Sequence, residues 1–101
     1  MDNTNKILKE LGAGIVNDAK RYLKARKKDK RSSGKLRRSL KSKVSDNELT
    51  IFAEDYAIYV DQGTRDSKGN LFLTDAITDN INKYEDQLMA AIFEDISNNK
   101  I

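Results

Sequence analysis

The tripeptide Ser33-Gly34-Lys35 contains residue types that bind phosphate in nucleotide-binding loops. That motif also requires a glycine five positions before its second glycine and a Ser or Thr directly after its lysine. This chain has Asp29 and Leu36 at those places. The sequence therefore predicts no nucleotide site.

Glu54, Asp55 and Asp61 are carboxylates that lie near one another in the sequence, and metal-dependent nucleases gather such residues around a cation. Acid-rich loops are more often solvated surface. The chain also contains no cysteine and no histidine, which excludes a Cys/His zinc site, a thiol nucleophile, a disulfide framework and histidine acid-base chemistry. We expect no catalytic residue, no cofactor and no metal ion, and hence a protein that is not an enzyme.

Basic residues are concentrated in one part of the chain. Thirteen lysines and arginines stand against a single acid between Lys20 and Lys43, whereas residues 44–101 contain twelve acids and four bases. Such a bipolar chain can bind a polyanion through its basic segment, or it can stack head to tail on copies of itself. The basic segment contains one aromatic residue, Tyr22, so it offers no clear platform for stacking bases. The basic residues that we assign to an interface are Lys27, Lys28, Lys30, Arg31, Lys35, Arg37 and Arg38.

Length and composition predict one domain with a small core. A chain of 101 residues buries roughly 60 to 70% of its unfolded surface. Its 38% of hydrophobic residues is below the usual share of about 45 to 50%. No apolar run is long enough to cross a membrane, and residues 1–10, MDNTNKILKE, lack the apolar core of a signal peptide. We expect a soluble protein that is made in a cytoplasm and contacts no membrane.

The first predicted element is a long amphipathic helix from about residue 3 to residue 27. Asp2-Asn3-Thr4 supplies candidate N-caps. Gly12 and Gly14 either weaken the helix, by about 1 kcal/mol each, or mark a place where another backbone comes close. Residues 27–35, KKDKRSSGK, have no apolar periodicity and predict a loop. The apolar residues of the helix recur at intervals of three and four, as Ile7, Leu8, Leu11, Ile15, Ala19, Tyr22 and Leu23.

A β-hairpin is predicted next. Apolar and polar residues alternate over residues 40–44 and 49–53, and Ser45-Asp46-Asn47-Glu48 between them has the composition of a turn. After the hairpin, Tyr56, Tyr59 and Val60 have helical spacing, although alternate residues from Tyr56 to Val60 fit a strand equally well. We favour a short helix.

The last part of the chain is predicted to contain a loop over residues 62–70, a short third strand at Leu71-Phe72-Leu73, and a helix from about Asp75 to Ser97. Thr74 is a plausible N-cap for this helix, and Asp75 is favourably placed against its dipole. The apolar stripe of the helix consists of Ile77, Ile81, Tyr84, Leu88, Ile92 and Ile96.

Together these elements predict an α+β fold in a single domain over residues 1–101. A small antiparallel sheet of about three strands is covered by a long N-terminal helix, a short middle helix and a long C-terminal helix. Residues 27–38 are expected to be a mobile basic loop that becomes ordered on docking to a partner. Because so small a sheet has open edges, this architecture favours self-association.

Two motifs lie on either side of the predicted hairpin. The first is Gly34-Lys35-Leu36-Arg37-Arg38-Ser39-Leu40, and the second is Tyr56-Ala57-Ile58-Tyr59-Val60-Asp61-Gln62-Gly63-Thr64. At this spacing the pair resembles the motifs of small structural proteins of long-tailed bacteriophages, the minor tail or tail-completion proteins of the neck, where head joins tail. Asp61 stands where that family usually has glutamate, Gln62 where an aromatic residue is common, and residues 71–76 lack the prolines often found there.

The resemblance implies structural roles for the matched residues. The matched residues of the first motif would anchor the first strand. Residues Tyr56 to Val60 would form a short helix packed on the sheet, and Gly63-Thr64 would form the turn that leaves this helix. Glycine suits a positive φ at such a turn, and Thr64 can bond back to the freed backbone. The motif residues that the resemblance marks as structural are Gly34, Leu36, Ser39, Leu40, Tyr56, Ala57, Tyr59, Val60, Gly63 and Thr64, with Arg37 as a polar position between the two leucines.

The resemblance also implies a function. The chain would be a subunit of a homo-oligomeric ring, hexameric or dodecameric, in the neck of the virion. Its partners would be the head connector or stopper and the tail terminator or tail tube proteins, and genomic DNA passing through the lumen would make non-specific contacts. Assembly would take place in the host cytoplasm. Two alternatives stay open: a small basic nucleic-acid-binding protein, and an adaptor or inhibitor that binds another protein.

Overall fold

The computed structural model of the protein describes residues 2–26 and 34–98, and the expected α+β fold is confirmed. Four helices and a hairpin of two strands lie within these residues. In chain order they are α1 (Asp2–Arg26), α2 (Lys35–Ser39), β1 (Lys41–Ser45), β2 (Glu48–Phe52), α3 (Ala57–Gln62) and α4 (Phe72–Asn98).

Helix α1 is the middle layer of the fold. It packs along α4 and also against both strands of the hairpin, whereas α4 makes no comparable contact with the hairpin. Gly12 faces the hairpin and Gly14 faces α4. Residues two positions apart on a helix differ by about 200° around its axis. The contacts of Gly12 and Gly14 therefore lie on nearly opposite sides of α1. The layer order is therefore hairpin, α1, α4, in a molecule that measures 55 × 22 × 20 Å.

The two glycines of α1 mark close approaches, as one of the two sequence interpretations held, but the approaching atoms belong to side chains. A Cβ added at Gly12 would lie 2.7 Å from Leu49 Cδ1 and 2.9 Å from Ser42 Cβ. A Cβ added at Gly14 would collide with the Asn80 Oδ1 atom. Glycine thus lowers the helix propensity of α1 but allows both neighbouring layers to pack closely on it.

The hairpin has the predicted antiparallel register, in which Val44 lies opposite Leu49 and Ser42 opposite Ile51. Asp46 and Asn47 form the two-residue turn, and their positive φ angles of 52° and 64° are those of a type I′ turn. Partners in an antiparallel pair share a face. Val44, Leu49 and Ile51 are half-buried and pack against the core, so one face of the hairpin lies on α1.

The prediction of a third strand at Leu71-Phe72-Leu73 is wrong. The described residues form a two-stranded sheet, and α4 begins at Phe72, three residues before the predicted start. Leu71 has a left-handed φ of 58°, and Asn70 Oδ1 accepts a hydrogen bond from the Phe72 N–H at 3.0 Å. A three-residue apolar run does not distinguish a strand from a buried helical turn, and here the run enters a helix whose first residue is completely buried.

Two further sequence predictions need correction. Residues Lys35–Ser39 form the short helix α2 instead of loop or strand, so only residues 27–33 of the predicted basic loop lie outside the described residues. On α4, Tyr84 and Leu88 pack against the core as predicted, but Ile81 and Ile96 are exposed. Apart from Phe72, the buried residues of α4 are small or polar, namely Ala76, Asn80, Ala91 and Asp95.

The hydrophobic core is small and lies mainly along α1. Its largest completely buried side chains are Phe72, Leu23, Leu36 and Leu40. The end of α1, the start of α4 and the first motif thus supply the largest fully buried side chains. No helix within the described residues is long and apolar enough to cross a membrane.

Replacing Gly14 with alanine is expected to lower the free energy of unfolding by about 1–3 kcal/mol, because the new Cβ overpacks the contact with Asn80. In a helix with free space at this position, the same change would raise the free energy of unfolding by about 1 kcal/mol. Urea unfolding measures the effect. Repeating Gly14→Ala in an Asn80→Ala background provides the control, since the clashing oxygen is then gone and the substitution should cost little. Equal losses in both backgrounds would contradict this account.

Candidate assembly surfaces

Asp61 is the cap of α4, although it belongs to α3. The Leu73 and Thr74 N–H groups both donate to its Oδ1 atom at 2.9 Å, and the Thr74 hydroxyl donates to Oδ2 at 2.6 Å. Gln62 Nε2 also donates to Oδ2. The carboxylate, on a residue that is 5% exposed, satisfies N–H groups that a helix leaves without intrahelical partners at its start. Thr74, the predicted N-cap, is instead a donor to the cap.

These hydrogen bonds also set the acidity of Asp61. Burial by itself raises the pKa of this carboxyl, but the hydrogen bonds from the Thr74 side chain and backbone, from Gln62 and from Leu73 outweigh burial. The pKa of Asp61 therefore lies below its ordinary value of 3.8. Asp61 is consequently a structural anion at neutral pH.

Asp95 plays the same part for α1, from the far end of α4. Its carboxylate accepts the Asn3 N–H at 3.2 Å and the Thr4 N–H at 2.6 Å. The Thr4 side chain lowers the pKa of Asp95 most, burial opposes this effect, and the two N–H groups lower the pKa further, so that it lies below 3.8. The predicted local caps of α1 lie inside the helix, because α1 already begins at Asp2.

The residues of the first motif join α2 to the rest of the fold. Leu36 and Leu40 are completely buried, as expected of anchors, but they lie on and just after a helix instead of in a strand. The Ser39 hydroxyl donates to the Leu36 carbonyl at 2.6 Å and accepts the Glu54 N–H at 3.0 Å. Ser39 thereby ties α2 to the chain that leaves β2.

The second motif forms α3 and the turn after it, as predicted. Ala57 is buried, Tyr56 and Val60 are half-buried against the core, and Tyr59 is 61% exposed. Helix α3 packs mainly against α4, not against the sheet. Gly63 ends α3 with a φ of 90°, and its N–H donates to the Tyr59 carbonyl at 2.8 Å. Thr64 does not bond back to α3; its N–H donates to the Ser67 carbonyl at 2.7 Å.

The basic segment is only partly described. Lys27, Lys28, Lys30 and Arg31 lie outside the described residues. Lys35 and Arg38 are exposed on α2, Arg37 is half-buried there, and Gly34 precedes that helix. Lys41 and Lys43 are exposed on β1.

Part of the basic charge is engaged within the subunit. Arg26 Nη1 lies 2.6 Å from Asp75 Oδ2, and Arg21 Nη2 lies 3.0 Å from Asp18 Oδ1. The two guanidinium carbons are 4.3 and 5.1 Å from the centre of the Tyr22 ring. The Tyr22 hydroxyl donates to Asp79, a hydrogen bond that raises the pKa of the tyrosine, with burial adding to the effect. The ring of Tyr22 is thus held by its own subunit.

The outer face of the hairpin is not covered by the described residues. It consists of the exposed residues Lys41, Lys43, Ser45, Glu48, Thr50 and Phe52. Lys41 lies opposite Phe52 and Lys43 opposite Thr50, so the end of this face away from the turn is basic and aromatic. A shallow groove of about 240 Å³ runs along the face. We call this surface the hairpin outer face.

Helix α4 also has an uncovered apolar surface on the side away from α1. Met89 is 49% exposed and Phe93 is 63% exposed. The exposed residues of this surface follow one another at intervals of four and three positions, which places them on one side of the helix. This surface, the α4 outer face, consists of Ile81, Glu85, Met89, Phe93 and Ile96. The single apolar stripe predicted for this helix does not include Met89 and Phe93, which form a second apolar stripe in the sequence.

The structure brings no metal-binding cluster together within residues 2–26 and 34–98. Asp61 is occupied as a helix cap, while Glu54 is half-buried and Asp55 is exposed at the end of the hairpin. What the described residues offer is therefore two uncovered surfaces on opposite layers. Comparison with known protein families, with curated proteins and with solved structures finds no match to this chain.

The Asp61→Ala substitution is expected to lower the free energy of unfolding by about 1–2 kcal/mol, because α4 loses its cap. Asp66→Ala is the matched control, since Asp66 is an exposed aspartate in the neighbouring loop. Urea unfolding followed by circular dichroism measures both. If the two variants are equally stable, Asp61 does not act as a cap.

The lowered pKa of Asp61 predicts a dependence of stability on pH. Its folded-state pKa lies below 3.8, so its stabilising contribution is fully present above that value and is lost as the pH falls through the folded-state pKa. Urea unfolding between about pH 5 and pH 2 should therefore show a smaller loss of stability for Asp61→Asn than for the unmodified chain. Parallel pH profiles for the two proteins would contradict this assignment.

Proposed function

We propose that this chain is a structural subunit of a ring in the neck of a long-tailed bacteriophage, between the head connector and the tail tube. It acts by assembly around the DNA channel and carries out no chemistry. It is a component of the virion and assembles in the host cytoplasm.

The phage assignment rests on the two motifs around the hairpin. Their residues occupy positions that shape the fold: Leu36 and Leu40 are completely buried, Gly63 has a positive φ, and Asp61 caps α4. A motif whose residues set the architecture fits a shared fold. It provides no reacting groups, which suits a protein whose function is structural.

The observation that carries the proposal is that both outer layers of the subunit are uncovered. The hairpin has one face on α1 and one bare face, and α4 has Phe93 and Met89 exposed on the side away from α1. Exposed side chains of this size on two opposite surfaces are typical of subunits that bury them in an assembly. A closed ring buries such surfaces and also removes open sheet edges.

The charge distribution also supports an assembly of like subunits. Helix α4 contains six acids and one base, whereas β1 contains two lysines and no acid. Basic and acidic surfaces that alternate around a ring attract in the correct register and repel in wrong ones. A hexamer or a dodecamer is the expected stoichiometry of this ring.

The second candidate, nucleic-acid binding, is favoured by the exposed cations of α2 and β1. Several Lys and Arg residues on one side of a small protein can neutralise phosphates. Against it, the ring of Tyr22 is held by two arginines of its own subunit, and Arg26 is paired with Asp75. Tyr22, the one aromatic residue of the basic segment, is therefore not free to stack on a base, although Phe52 is exposed opposite Lys41.

A complementation experiment tests the neck function. Deleting the gene in the phage that encodes this chain should yield filled heads and complete tails that fail to join. Adding the purified protein to the mixed lysate should restore joined particles, and electron microscopy should locate the chain at the junction. Normal virions from the deletion mutant would overturn the proposal.

A binding measurement separates the two candidates. A neck subunit should bind duplex DNA weakly, whereas a dedicated binder should show micromolar affinity that falls with a log-log salt slope of several units. Fluorescence anisotropy at two or more salt concentrations gives this slope. Tight, salt-dependent binding together with normal joining in the deletion mutant would favour the nucleic-acid-binding candidate.

A further inference from the structure

The hairpin outer face and the α4 outer face lie on opposite sides of the subunit. Helix α1 separates the two layers, and each layer turns its other face to α1. Neither outer face can therefore cover the other within one copy. A second copy, placed in the same orientation, would bring its α4 outer face against the hairpin outer face of the first.

The two faces are complementary in charge. On the α4 outer face the charged member is Glu85, with Asp86 exposed beside it. The single basic residue of α4, Lys83, has its Nζ atom 5.4 Å from the centre of the Tyr84 ring. On the hairpin outer face, Lys41 and Lys43 lie on the strand that contains no acid, and the one acid of this face, Glu48, lies at the turn end of the other strand.

The faces also match in chemistry and length. Phe52, 49% exposed, lies opposite Lys41 at the open end of the hairpin, so an aromatic side chain is available to pack against Met89 and Phe93. Five residues of strand span about 17 Å, and the fifteen-residue step from Ile81 to Ile96 spans about 22 Å of helix, so the α4 outer face is long enough to cover both strands. A helix on a sheet face is a standard way to complete a layered domain.

We infer that the α4 outer face of one copy docks on the hairpin outer face of the next, with Glu85 next to Lys41 and Lys43. The contact repeats the layer order hairpin, α1, α4 from one subunit to the next. This inference rests on the proposed function, because it names the surfaces through which the ring would form.

Charge argues for this arrangement over a symmetric contact between two α4 helices. Two α4 outer faces would bring together two acidic surfaces, and Glu85 and Asp86 of both copies would lose solvent without gaining a base. When the α4 outer face of one copy contacts the hairpin outer face of the next, the assembly keeps one free hairpin outer face and one free α4 outer face at its two ends. Further copies therefore add until the rotation between successive subunits closes a ring.

Cross-linking of single-cysteine variants tests the inference directly, because the chain has no cysteine of its own. Lys43→Cys and Glu85→Cys proteins, mixed and treated with a short bismaleimide, should give a covalent dimer that contains one copy of each. Asn17→Cys mixed with Glu85→Cys is the matched control, because Asn17 is an exposed residue of the middle layer.

Three outcomes would overturn the inference. Glu85→Cys cross-linking to itself more efficiently than to Lys43→Cys would indicate a contact between two α4 helices. Lys43→Cys cross-linking preferentially to itself would indicate a contact between two hairpins. A yield no higher than that of the Asn17→Cys control, at protein concentrations up to about 1 mM, would show that the two faces do not meet.

Charge reversal provides an independent measurement. Lys43→Glu and Glu85→Lys should each weaken self-association about threefold to tenfold in sedimentation velocity, and the double variant should recover most of the loss. Lys41→Glu and Asp86→Lys form a second pair for use if either variant misfolds by circular dichroism. Single variants without effect, or a double variant that is no better than the singles, would contradict the contact.

These measurements use the purified protein alone and so are separate from the test of the neck function. If copies cross-link through the two faces but deletion of the gene leaves normal virions, the proposed interface stands and the neck role does not. If the protein restores joining but gives only control-level cross-links, the neck role stands and this interface does not.

Discussion

The antiparallel alignment of α1 and α4 is the constraint on which the rest of the structure depends. Polar contacts fix it at three levels: Asp95 caps the start of α1, Asn80 Nδ2 donates to Asp18 Oδ2 at 2.8 Å near the middle, and Arg26 pairs with Asp75 at the far end. The apolar core fixes the alignment less strictly, because hydrophobic contacts are non-directional. The polar contacts exclude sliding of one helix along the other, because a shift would leave buried groups without partners.

The sequence predicted the elements better than it predicted how they are joined. Periodicity located both long helices and the hairpin, because the side chains of those elements repeat with the spacing of their secondary structure, whereas at α3 the pattern fitted a strand equally well. It failed at Leu71 to Leu73, where Asp61 and Asn70 begin α4 earlier than the apolar stripe suggests. No local pattern reveals a cap supplied by a residue eleven or more positions away.

The candidate surfaces were predicted less well than the fold. The basic segment was visible as a charge cluster, but the internal use of Arg21 and Arg26 depends on α4 lying beside α1. The α4 outer face was missed because Met89 and Phe93 were not part of the single stripe assigned to the core. An amphipathic helix with apolar residues around more than half of its circumference indicates two partners, and in this subunit α1 is one of them.

The cap that Asp95 provides has a consequence for the order of events in the cell. A ribosome makes α1 first, yet the carboxylate that satisfies the N–H groups of Asn3 and Thr4 is added ninety or more residues later. Until then the earliest helix has an unsatisfied beginning and no α4 to pack against, so it gains little from forming. Helix α1 therefore gains this cap, and its packing against α4, only after α4 has been made, so the layered subunit is completed late in synthesis.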